Sequence, residues 1–69
     1  MTQAALTTYM QRAGIRSNRE LAALTGIRHS MMDAIVNDPG RARLYQLRLI
    51  AEACGMTADE IMGLARRGK

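Results

Sequence analysis

Apolar positions along this chain recur at three- and four-residue intervals, and the runs they form are cut repeatedly by glycine. That spacing is the period of a half-buried helix rather than the alternation of a strand. Ala5, Leu6, Tyr9, Met10 and Ala13 share one face of a first helix over residues 3–13, which Gly14 ends. Ser17 opens a Ser-x-x-Glu box, with Glu20 reaching back to the cap residue's own N–H, and a short second helix runs over 18–25 to Gly26. After Ile27, "RHSMMDAIVN" makes a third helix closed by "NDPG". Pro39 cannot continue that helix, and Gly40 tolerates whatever backbone angle the turn requires. A fourth helix covers about 43–54, with Leu44, Leu47, Ile50, Ala51 and Cys54 on one face and Gly55 after it. Thr57 opens a second box, Thr-x-x-Glu, with Asp59 and Glu60 at the positive pole of a fifth helix and "ARRGK" at the other pole. The pattern predicts an all-α fold, a compact five-helix bundle forming a single domain over residues 1–69.

Composition narrows this further. With 48% hydrophobic residues the chain is too apolar for intrinsic disorder, and with no Phe or Trp its core must come from Leu, Ile, Met and Ala. That palette suits helices better than sheets. No apolar run approaches the roughly 20 residues of a membrane-spanning helix, and "MTQAALTTYM" lacks the basic flank and apolar block of a signal peptide. Cys54 is the lone cysteine, so no internal disulfide forms and a reducing compartment, the cytoplasm, is expected.

Charge adds a partner class. Ten Lys or Arg stand against six Asp or Glu, for a net +4, and nine of the ten bases are Arg. The planar guanidinium fork matches phosphate oxygens and guanine edges. Arginines 12, 16, 19, 28, 41, 43 and 48 outnumber the acids of that stretch, Glu20, Asp33 and Asp38, so the middle of the chain is its electropositive part.

The centre of the sequence, "SNRELAALTGIRHSMMDAIVN", sets two short helices around a glycine. A short helix projects its partner outward only if the two are locked by a small residue on the first, a tight turn, and apolar residues inside the second. Ala22 supplies the first, Gly26 and Ile27 the second, Met32 and Ile35 the third. This spacing is the signature of a helix-turn-helix over about residues 17–37. On a wheel of about 100° per residue, Met32, Ile35 and Val36 of the third helix converge inward, and His29, Ser30, Asp33, Ala34 and Asn37 outward.

"SNRELAALTGIRHS" resembles the second helix, turn and start of the third helix in the Cro and phage-repressor class, the lambda-repressor-like helix-turn-helix domains. "LRLIAEACGMTADEIM" is similar to that family's fourth helix and the start of its fifth, and the resemblance covers nearly all 69 residues. The chain departs from the pattern in having Asn18 where a longer Gln is frequent, His29 where Gln often reads adenine, and no Lys-rich N-terminal arm. The resemblance implies a sequence-specific double-stranded DNA-binding transcriptional regulator, a phage- or prophage-type Cro-like repressor that reads the major groove with its third helix.

On that reading Arg28, His29, Ser30, Asp33 and Ala34 face base edges, and the small Ser30 and Ala34 let the helix sink into a groove about 12 Å wide. Arg28 reaches either a guanine edge or a phosphate. Ser17, Asn18, Arg19, Asn37, Arg41 and Arg43 are expected on phosphate, the first two through free N–H groups at a helix N-terminus. Asp33 either accepts from cytosine N4, pairs with His29 or Arg28, or penalises wrong sequences. Tyr45, Leu49 and Met62 lie off the core faces, and the family's habit of dimerising makes them the expected homodimer interface on a palindromic operator.

Blander roles compete with these. A lone His29 with Asp33 is no metal-ligand set and is more ordinarily a solvated residue, Met32 and Cys54 repeat core periodicity, and the terminal "RRGK" suits a solvated tail. No catalytic carboxylate pair, phosphate-cradling loop or nucleophile with its base is present, so the chain is not expected to be an enzyme, to hold a cofactor or to bind a small-molecule substrate. A second class of function remains open: an antitoxin or other protein-interaction module that also binds DNA.

Overall fold

The computed structural model describes residues 5–67. Five α-helices follow in order: α1 (Ala5–Arg12), α2 (Asn18–Thr25), α3 (His29–Asn37), α4 (Leu44–Cys54) and α5 (Ala58–Arg67). A single 3-10 turn, Pro39–Arg41, lies between α3 and α4, and no strand occurs among the described residues. Residues 3 and 4, expected at the start of the first helix, lie outside the described residues. Arg28 caps α3 rather than beginning it, and Ala13 falls after α1 and is exposed, contrary to its expected place on that helix's face. No helix among the described residues is long and apolar enough to cross a membrane.

The helices stop by one device used three times. Each of α1, α2 and α4 is followed by a glycine in the left-handed region, and the next residue, Ile15, Ile27 or Met56, is buried. Gly26 is the instance that matters here. At φ 76° it turns the chain out of α2 while its N–H donates to the Ala22 carbonyl at 2.8 Å. A glycine followed by a hydrophobe that folds back over the last turn is a recurrent C-terminal cap, because the turn and the core both gain from it.

Helix starts are equally specific. Ser17 is extended, and its Oγ accepts from the Glu20 N–H at 3.1 Å. The Glu20 carboxylate accepts from the N–H of Arg16 at 2.9 Å, one residue further back than the expected Ser17. At α5 the box closes on itself: Glu60 N–H donates to Thr57 Oγ1, and Thr57 N–H donates to Glu60 Oε1 at 2.8 Å. At α4 the buried Gln46 carboxamide oxygen accepts from the Arg43 N–H at 2.9 Å, a half-box that the sequence pattern does not announce.

Leu6, Leu21, Met32, Ile35 and Ile50 are fully enclosed and join α1, α2, α3 and α4 in one core, which Ile61 and Leu64 of α5 complete. α2 packs against both α3 and α4, whereas α5 packs on α4 and on the 3-10 turn. That last contact gives Gly40 its role. Its backbone angles need no glycine, but an added Cβ would sit 2.9 Å from the Ala65 carbonyl oxygen of α5. Leu44, expected on the buried face of the fourth helix, is 61% exposed. It opens α4 at the mouth of a groove between α4 and α5, beside Ile61 and Met62, and no further element among the described residues covers it.

Candidate nucleic-acid interface

α3 divides its residues as its periodicity predicts. Met32, Ile35 and Val36 are buried, while His29, Ser30 and Asn37 are exposed and Asp33 and Ala34 half-buried. Four of these five outward residues are polar, and none has a side chain longer than histidine. The inward three anchor the helix by apolar burial, the dominant favourable term in a small core. Orientation is fixed from the other side by α2, where Ala22 is buried and Leu21 enclosed.

The N-terminal end of α3 is open. Arg28 has φ −57° and ψ 140° and provides no side-chain cap, although its carbonyl accepts the first helical bond, from Met32 N–H at 2.8 Å. The first-turn N–H groups of α3 thus carry the partial positive charge of a helix start without a capping oxygen. α2 differs, since Ser17 occupies one of its orphan donors.

Three polar side chains meet across the two helices. Asn18 Nδ2 donates to Asp33 Oδ1 at 2.9 Å, and His29 Nε2 lies 3.6 Å from the same oxygen. Asp33 thus takes Asn18 as its firm partner, an option that the sequence left unconsidered because the pair is separated by 15 positions. Arg28 takes no part. Asp38 is also engaged, its Oδ1 accepting from the Gly40 N–H at 3.2 Å to cap the 3-10 turn.

Arg16, Arg19, Arg28, Arg41, Arg43 and Arg48 are all exposed, and among the described residues none of them pairs with a carboxylate. Arg12 instead stacks over the Tyr9 ring, 5.7 Å from its centroid. Free guanidinium groups retain their full capacity for a bidentate anion contact. Arg28 and Arg43 further share the rim of an open groove of about 790 Å³ with Ser30, Ala34, Tyr45 and Leu49.

The residues expected at a dimer contact line two grooves. Tyr45, 59% exposed, and Leu49 line the groove beside the outward face of α3. Met62 is half-buried against the core and lines the other groove, between α4 and α5, and the two grooves have no lining residue in common. Cys54 is buried, and desolvation pushes its thiol above the ordinary range, as suits a core residue and not a nucleophile. No family model matches the chain, and neither the curated proteins nor the solved structures hold a significant match to it.

Proposed function

We propose that this protein is a sequence-specific double-stranded DNA-binding regulator, a repressor of the Cro-like type, that inserts α3 into the major groove. The observation that carries the reading is the short-chained polar face His29–Asn37, solvent-facing along a helix whose opposite side is locked in the core. A helix of about 10–12 Å diameter fits a groove about 12 Å wide only if its leading side chains are small. Ser30 and Ala34 meet that requirement, with Arg28, His29 and Asp33 beside them to contact base edges. Ser17, Asn18, Arg19, Asn37, Arg41 and Arg43 contact phosphate, supplying affinity and register without sequence information.

A palindromic operator read by a homodimer follows from the same reading, because one helix of this length spans too few base pairs for high selectivity. The exposed apolar residues Tyr45 and Leu49 on α4 support a second copy as the partner.

Fluorescence anisotropy against a duplex recovered from a random pool, and against random duplex, tests the reading. The recovered site is expected to bind at least about a thousandfold more tightly, since specific complexes exceed non-specific ones by about 10³–10⁷. Affinity for both falls steeply between two salt concentrations as counterions are released. Equal affinity for every duplex would overturn it.

A further inference from the structure

We infer that Asp33 is the residue through which α3 selects a cytosine, and that Asn18 of α2 is its positioning residue. This rests on α3 being the element that meets base pairs. Two contacts converge on a single atom: Asn18 Nδ2 donates to Asp33 Oδ1 at 2.9 Å, and His29 Nε2 stands 3.6 Å from that oxygen. Among the described residues Asp33 Oδ2 accepts no hydrogen bond, and the side chain is 48% exposed. The centre of the outward face therefore holds a carboxylate with one oxygen tethered and the other free.

An ionised carboxylate only accepts hydrogen bonds. In the major groove guanine offers two acceptors, thymine one acceptor and a methyl, adenine a donor beside an acceptor, and cytosine a donor alone. A carboxylate is repelled by the first two. It is compromised by adenine, whose N7 lone pair stands next to the N6 donor. Cytosine N4 is the one edge that presents a donor without an adjoining acceptor on the same base.

The tether makes this selection possible. An untethered Asp side chain near two phosphate backbones gains by rotating away from their negative potential, and its contrast between bases would fall. Asn18 holds it by a bond between two helices that the buried core already fixes. The amide of Asn18 has two hydrogens, and only one is used on Asp33. The second is free for a phosphate oxygen, so a backbone contact at the start of α2 and the base contact on α3 pass through the same side chain. Asn18 accordingly contributes to register and to selectivity together.

Selection from a randomised duplex pool, performed with the wild type, Asp33→Asn and Asn18→Ala, tests this. The wild-type site should contain a C·G pair at which Asp33→Asn changes preference to A·T by about tenfold, because an amide matches adenine's donor–acceptor edge. All other positions of the site should be unchanged. Asn18→Ala should flatten preference at that same pair several-fold and lower affinity for every duplex through the lost phosphate contact, whereas a merely structural residue would not confine its change in preference to one position. Circular dichroism checks folding. Should Asp33→Asn fail to fold, Asp33→Ser is the second variant, expected to flatten the pair without creating an A·T preference. A folded Asp33 variant that selects the wild-type base everywhere overturns the inference while leaving α3 as the reading element. A wild type that enriches no sequence overturns both.

Discussion

Gly26 and Gly40 are the same residue type used for opposite physical reasons. Gly26 sits at φ 76° with open space around a would-be Cβ, so its requirement is torsional. Gly40 has ordinary angles, but a Cβ would press on the Ala65 carbonyl, so its requirement is steric. Gly26→Ala is expected to cost about 1–2 kcal/mol, the penalty of the left-handed region. Gly40→Ala is expected to cost about 1–3 kcal/mol, as overpacking against backbone does, and to loosen α5 selectively. Urea unfolding measures both, and amide exchange in α5 separates them. The first role was legible in the sequence because a glycine after an apolar run is a local signal. The second was not, since Gly40 meets α5 only once the chain has folded. Glu20 and Asp33 carry the same lesson: the cap of α2 was readable because Ser17 and Glu20 stand three residues apart, whereas the Asn18 bond to Asp33 spans two helices.

At the scale of elements, the helices were legible because start and stop signals are local. Gly14, Gly26 and Gly55 each precede a buried hydrophobe, and that pairing could have marked Ile15 and Met56 as core, as well as Ile27. Leu44 defeated the periodicity because a helical face says which side is apolar, not whether a neighbour reaches its first turn. Leu21 of α2 and Met32 and Ile35 of α3 are fully enclosed in the core that joins the two helices. Met32→Ala is expected to cost about 2–5 kcal/mol. Against the roughly 3–10 kcal/mol available to a chain of this length, that change brings α3 near unfolding. Thermal denaturation should show a large loss of Tm, and DNA affinity should fall with the folded fraction. Asn37→Ala, on the outward face of the same helix, should leave Tm nearly unchanged.

At the scale of the whole molecule, the polar face of α3 adjoins the uncapped start of that helix, several exposed arginines are unpaired among the described residues, and Asp59 and Glu60 stand in the first turn of α5. The polar face was legible from a helical wheel. The groove that each of Tyr45, Leu49 and Met62 lines was not, because sequence shows which apolar residues are left over but not which groove each one enters. The central claim is that duplex DNA meets the outward side of α3. Amide NMR of the labelled protein, titrated with its selected duplex, tests this most directly. The account predicts the largest shifts at residues 17–19, 28–37 and 41–43, with α1 and α5 little changed. Shifts concentrated on α1 or α5, with the His29–Asn37 amides unmoved at saturation, would contradict it.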